Sequence, residues 1–273
     1  MVLICGKFQL DLNTPRVMGI VNITPDSFSD GGHFTQTNQA VEHAMSLVEA
    51  GVDILDIGGE STRPNATPVP LQEELDRVIP VIEMLAGKVN IPISIDTYKP
   101  QVMQAAIDAG ASIVNDVRAL QENDALEVIA NSNVGVCLMH MQGTPQTMQL
   151  DPKYIDVVQE VSDFLSQRLQ ACVAVGIDKN RVILDPGFGF GKTRAHNIAL
   201  IQQLDKFLIL GQALLVGLSR KSVLGQVTGN DVDARLFASV AASVISVMKG
   251  AHIVRVHDVK ATVEALKIVA AIE

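Results

Sequence analysis

The sequence predicts an α/β fold, a (β/α)8 TIM barrel with a short N-terminal hairpin, built as one domain over residues 1–273. Three observations predict it. Short β-branched runs alternate with longer stretches of helical period, the pattern of repeated βα units around a parallel sheet whose strands are buried on both faces. Eight such runs occur, and eight close a barrel where six would more naturally leave an open sheet. The 273-residue length and 48% hydrophobic content suit the ~250 residues and single large core of such a barrel.

The predicted strands are Val17–Asn22, Asp53–Gly58, Ile93–Thr97, Ser112–Val117, Gly135–His140, Val182–Asp185, Ala213–Ser219 and His252–Val256. Between them Asn38–Ala50, Leu71–Ala86, Pro100–Ala109, Tyr154–Val175 and Asp231–Met248 carry apolar residues at three- and four-residue spacing, as helices do. Glycine after several of these, as in Ala50-Gly51-Val52-Asp53, reads as a C-cap leading into the next strand. Leu3–Leu12 reads as an extra hairpin covering the barrel's N-terminal end.

Composition narrows the function. A formal net charge of −9 argues against binding nucleic acid or an anionic membrane through a general basic field, so any phosphate must meet a few placed basic groups. Three cysteines, Cys5, Cys137 and Cys172, form no C-x-x-C pair, which suggests neither a disulfide framework nor a zinc cluster. The apolar runs are too short to span a bilayer, and the first residues reach Lys7 and Asp11 without a signal-like stretch. A cytoplasmic address is expected.

In such a barrel the βα loops converge at the C-terminal ends of the strands, and chemistry gathers there. Polar residues end or follow all eight apolar runs: Asn22, Asp56, Asp96, Asn115 with Asp116, His140, Asp185, Ser219 with Lys221, and Arg255 with His257. Any one of them is equally readable as a helix cap or turn residue, Asp116 above all. Occurrence at every strand end favours a shared site. Loop one, within Met18–Gly32, ends in two glycines and reads as a closing lid; loop two, Asp56-Ile-Gly-Gly-Glu-Ser-Thr-Arg-Pro64, carries Arg63, whose planar fork suits phosphate or carboxylate.

These two loops, together with Leu184-Asp-Pro-Gly-Phe-Gly-Phe-Gly-Lys192, Gly217-Leu-Ser-Arg-Lys-Ser222 and Ile253-Val-Arg-Val-His-Asp258, make the chain resemble the dihydropteroate synthase family of the folate pathway over essentially its whole length. Two positions depart from the pattern: Asn65 stands where glycine is expected, and Tyr98 where serine is also common. The resemblance implies condensation of 6-hydroxymethyl-7,8-dihydropterin diphosphate with 4-aminobenzoate through a pterin methylene cation. It implies that Asp185 accepts from the guanine-like pterin edge, with Asp96 and Asn115 on the remaining ring nitrogens. Lys221 would donate to the 4-oxo group and Arg255 would stack on the ring. Asn22, Thr62, Arg63, Arg255 and His257 are expected at the diphosphate, with Mg2+ on Asn22. Phe28, Thr62, Arg63, Pro64, Phe190, Ser219 and Lys221 are expected around 4-aminobenzoate, so that mimics such as sulfonamides would compete. The catalytic set is therefore Asp96, Asn115, Asp185, Lys221, Arg255 and Arg63. A homodimer through the C-terminal helices 231–248 and 259–271 is also implied.

Other readings have less support. Gly191-Lys192-Thr193 resembles the end of a P-loop, but Pro186 occupies the position of its first glycine. The glycines at 187, 189 and 191 miss the dinucleotide spacing. The six histidines show no i, i+4 pair for zinc, and His252, opening an apolar strand, reads as a packed group. A methyltetrahydrofolate:corrinoid methyltransferase would share a pterin pocket but has no use for Arg63 or for Ser219-Arg220-Lys221. A non-catalytic paralogue would not need the whole set.

Overall fold

A computed structural model describes residues 1–23, 33–62 and 66–272. The N-terminal hairpin pairs β1 (Val2–Cys5) with β2 (Phe8–Asp11). Eight strands then close a parallel barrel: β3 (Arg16–Asn22), β4 (Ile54–Gly58), β5 (Ile93–Asp96), β6 (Ile113–Asp116), β7 (Gly135–Met139), β8 (Val182–Asp185), β9 (Ala213–Val216) and β10 (Ile253–Val256), which returns to β3. Each expected strand is present within a few residues of its bounds.

The described helices are α1 (His33–Glu49), α2 (Leu71–Ala86), α3 (Pro100–Ala109), α4 (Ala125–Ala130), α5 (Val157–Ala174), α6 (Arg194–Gln202), α7 (Ser222–Thr228), α8 (Leu236–Met248) and α9 (Val259–Ile272). Three boundaries differ from expectation for local reasons. Helix α1 starts before Asn38, in residues 33–37, whose one apolar residue, Phe34, sets up no apolar period. Helix α5 starts after Tyr154, where the Asp156 carboxylate accepts from Val158 N and Gln159 N and so fixes the N-terminus. Residues 232–234 form a separate 3-10 turn ahead of α8.

Alternation along each strand divides the side chains between two cores. Leu55, Ile57, Val114, Leu138 and Val254 face outward into the helix layer. Met18, Ile54, Ile113, Cys137, Ile183, Leu215 and Ile253 face inward and pack with Leu3, Cys5 and Leu12 of the hairpin. The hairpin therefore closes the N-terminal end of the barrel, as expected. The same period of two carries Asp56, Asp96, Asn115, Asp185 and Arg255 to the inside, one layer above the apolar plug.

Candidate active site

One half of the barrel mouth is ionic. Arg255 bridges two carboxylates, donating from Nε to Asp56 Oδ2 and from Nη2 to Asp96 Oδ2, each at 2.6 Å. Asn115 Nδ2 donates to Asp56 Oδ2 at 3.2 Å. Strand pairing forces the arrangement, because Asp96 stands level with Gly58 on one side and with Asn115 on the other. Burial pushes the Asp96 carboxyl up to about 7, against the pull of Arg255. Burial also works against the charge on Arg255, but Asp56 and Asp96 more than offset it and hold the guanidinium protonated. Among the described residues, Asp56 Oδ1 and Asp96 Oδ1 are buried and have no hydrogen-bond partner. Two acceptors left unpaired beside the arginine that neutralises their carboxylates suit a ligand edge rich in N–H donors.

The other half is built on β8 and β9. Asp185 ends β8, and its Oδ1 accepts from Gly187 N at 2.7 Å. Burial raises its pKa, while Lys221 and the Gly187 amide oppose the rise. Gly187 has φ +69°, and a Cβ there would stand 1.8 Å from the His140 carbonyl oxygen, so only glycine fits this turn. Lys221 Nζ donates to the Phe188 carbonyl and lies 4.6 Å from the centre of the Phe190 ring. Burial pulls the Lys221 amine down to about 8, with Asp185 working the other way. Half-buried, with its amine on a backbone carbonyl and over an aromatic ring, Lys221 is not a freely solvated surface lysine.

Between Ser219 and Lys221, Arg220 adopts φ +57°. Asp258 takes its guanidinium in two hydrogen bonds, of 3.0 and 2.6 Å, and Ser239 Oγ accepts its N–H at 2.9 Å. This tie turns the two neighbouring side chains toward the mouth. Ser219 Oγ lies 3.1 Å from His257 Nδ1 and accepts His257 N at 3.2 Å, so the ends of β9 and β10 share one rim.

Behind the ionic half, Lys99 bridges Glu60 and the buried Glu74, while Tyr98 donates to Glu60 at 3.2 Å and lies under the Arg118 guanidinium, 4.6 Å away. Glu60 opens loop two, so this network anchors the stem that leads to Thr62, which is half-buried. Asn22 ends β3 beside Gly58, its Oδ1 3.7 Å from where a Cβ on that glycine would stand.

Of the sequence-predicted residues, the structure brings together Asp96, Asn115 and Arg255 in one cluster, and Asp185, Lys221 and Phe190 in the facing one. Ser219, His257 and Asn22 lie at strand ends on the rim. Phe28, Arg63, Pro64 and Asn65 lie outside the described residues. Arg255 Nε and Nη2 are taken up by carboxylates, so an approach to a ring face or to phosphate leaves those two hydrogen bonds in place or replaces them. Asp116 proves structural, accepting from Arg118 N and Leu120 N at 2.7 Å each. His252 does as well, its Nδ1 lying 3.1 Å from Leu214 N.

Asp56, which the sequence marks only as a strand end, is the centre of the ionic half. The period of two in Ile54-Leu55-Asp56-Ile57-Gly58 is the signal that sets it on the inward face.

Fold and site together define a (β/α)8 barrel with an ionic, polar mouth at the C-terminal ends of its strands, the class in which enzymes carry their chemistry at that face. The family model described as pterin binding enzyme matches residues 18–257. The Escherichia coli (strain K12) dihydropteroate synthase is 51% identical over 263 residues, covering 96% of this chain and 93% of that one. A Yersinia pestis dihydropteroate synthase solved with a sulfonamide drug complex superposes with TM-score 0.95 at 50% identity, covering 100% of this chain and 99% of the other. A Xanthomonas albilineans dihydropteroate synthase solved with 4-aminobenzoic acid gives TM-score 0.94 at 51% identity, covering 99% and 97%. The chain belongs to the dihydropteroate synthase family of pterin-binding enzymes.

Proposed function

We propose that this chain condenses 6-hydroxymethyl-7,8-dihydropterin diphosphate with 4-aminobenzoate to give 7,8-dihydropteroate and diphosphate. The observation that carries the reading is the pair of polar clusters at one barrel mouth, Asp56–Asp96–Asn115 on Arg255 and Asp185 beside Lys221, with an unpaired acceptor oxygen, among the described residues, on each of Asp56 and Asp96. A pterin presents N3–H and 2-amino donors to Asp185, which has one carboxylate oxygen free of the Gly187 amide. Asp96 and Asn115 receive the other ring nitrogens. Lys221 turns from the Phe188 carbonyl to the 4-oxo group, and Arg255 covers the ring.

The methylene carbon loses its bond to the diphosphate oxygen, which leaves with the electron pair. The amine lone pair of 4-aminobenzoate then forms the new C–N bond, and the nitrogen sheds its proton afterwards. An arylamine is already neutral at pH 7, so the step asks little of a general base and much of electrostatics. Buried carboxylates around the ring stabilise the cation, and the walls shield it from water. By position in the sequence, Arg63, Thr62 and His257 meet the diphosphate with Arg255. Phe190 and Ser219 stand by Lys221 for the arylamine site, and the family resemblance assigns Phe28 and Pro64, outside the described residues, to the same substrate.

Among the described residues, no three His, Cys, Asp or Glu side chains are grouped to hold a metal ion. The Asn22 amide oxygen at the mouth fits an oxygen-seeking ion that takes most of its shell from water and phosphate. Bound there, Mg2+ would neutralise the departing diphosphate.

The exposed apolar side chains Phe237, Ile245 and Met248 on α8, with Ile268 and Ile272 on α9, support a homodimer. Sedimentation at twice the chain mass is expected. The three free, buried cysteines support a reducing, cytoplasmic setting.

The decisive test mixes the protein with the pterin diphosphate, 4-aminobenzoate and Mg2+. Dihydropteroate is expected by mass, lost when either substrate is omitted; no product would remove the assignment.

A further inference from the structure

The residues that failed as a P-loop have no part in the reaction above, yet Lys192 is only 3% exposed. Its amine is held by uncharged groups: Gly187 O at 2.9 Å, Phe190 O at 3.0 Å and His140 Nδ1 at 2.9 Å. Burying a lysine against neutral acceptors costs stability that an apolar side chain of similar length would not. Burial accordingly drives its pKa well below the ordinary lysine value. The two carbonyls it collects lie three residues apart, on either side of the glycine-rich turn. Asn197, 4% exposed, ties the same turn from the other side. Its Oδ1 accepts from Gly189 N at 2.8 Å, and its Nδ2 donates to Thr193 O at 2.8 Å and to Lys192 O at 3.3 Å.

This turn delivers three groups to the mouth. They are the Gly187 amide on Asp185, the Phe188 carbonyl on Lys221, and the Phe190 ring under the Lys221 amine. We propose that Lys192 and Asn197 are positioning residues that staple residues 187–191, so that the Phe190 ring and Lys221 meet in one geometry and form the arylamine side of the site. The inference rests on the reaction proposed above. Neither residue touches substrate in that scheme, and both stand apart from the Asp56–Asp96–Asn115 cluster that holds the far side of the pterin. Asp185 and Lys221 stand on β8 and after β9 and keep their own reach to the pterin when the turn loosens, whereas the Phe190 ring is part of the turn itself, so loss of the staple falls mainly on 4-aminobenzoate.

The test uses the full chain as wild type, Lys192→Met and Asn197→Ala, with folding checked by circular dichroism and KM measured separately for each substrate. Lys192→Met is expected to raise the KM for 4-aminobenzoate by at least ~10-fold, and Asn197→Ala by about 3-fold, with the pterin diphosphate KM within about twofold of wild type. Should Lys192→Met not fold, Asn197→Ala is read alone by the same criterion. Equal shifts for both substrates, or none, overturn the staple while leaving the reaction intact. Failure of both variants to fold also overturns it, because the residues would then be holding up the barrel. Absence of product from the wild type overturns the reaction and the staple together.

Discussion

The two ends of this barrel are made from the same eight strands and obey opposite rules. At the N-terminal end, Leu3, Cys5 and Leu12 of the hairpin close over Met18, Ile54, Ile113, Ile183 and Ile253 in an apolar layer, and among the described residues none of these side chains carries an unpaired buried polar atom. At the C-terminal end, two residues further along β4 and β10, the inward positions hold Asp56 and Arg255. There, among the described residues, Asp56 Oδ1 and Asp96 Oδ1 are buried without a partner, and Ser94 Oγ, level with Asp56, shares that condition. Such groups are destabilising unless a ligand meets them. The floor is built for stability and the mouth gives stability up for recognition, so substitutions at the two ends should separate folding from activity.

The largest separation is expected at Asp185. Replacing it with asparagine keeps the volume but sets an amide donor against the donors of the pterin edge. Pterin affinity should fall on the order of 10²–10³-fold by calorimetry. Because burial already disfavours the Asp185 carboxylate, thermal stability should hold or rise. Unchanged pterin affinity would take Asp185 out of the site.

The converse substitution is Leu3→Ala, at a side chain 1% exposed in the floor. It should cost roughly 2–4 kcal/mol of unfolding free energy in denaturant titration. Activity per folded molecule should stay near wild type, since Leu3 lies a layer below any group at the mouth. A matching fall in kcat would mean that the floor controls the mouth.

Much of this contrast was legible beforehand. Each strand carried its polar residue at the C-terminal end, and the hairpin was recognisable from Leu3–Leu12, because alternation and strand order act through local sequence. The Asp56–Arg255 pair was not, since its members are 199 positions apart and only closure of the barrel makes them neighbours. The part played by Lys192 was hidden for another reason: its principal acceptors are backbone carbonyls, which leave no mark in a sequence. The early start of α1 went unseen because residues 33–37 lack an apolar period.

A smaller effect comes from Lys221, whose amine burial lowers from 10.5 to about 8. As the ammonium it donates to the pterin, so turnover should fall as pH rises through 8, approaching about tenfold per unit beyond it. Its contribution to stability runs the other way. Between about 8 and 10.5 the unfolded chain binds more protons at this group than the native state, so stability from it rises with pH across that window. Parallel rate and unfolding profiles should therefore diverge there, and Lys221→Met should lose that stability rise. Rate and stability falling together from pH 8 would contradict the assignment.

The smallest effect tests where the mouth ends and its supporting frame begins. Tyr98 donates to Glu60 at 3.2 Å and offers its ring to Arg118 at 4.6 Å. Lys99 continues to bridge Glu60 and Glu74 without it. Tyr98→Ser removes one neutral-to-charged hydrogen bond and the two half-exposed cation–π contacts with Arg118 and Lys99, on the order of 1 kcal/mol together, or a melting point lower by roughly 2–4 °C. Turnover should stay within about twofold, because the Lys99 bridge still fixes the stem of loop two. A tenfold loss would instead assign Tyr98 to the active site and move the boundary outward by one shell of side chains.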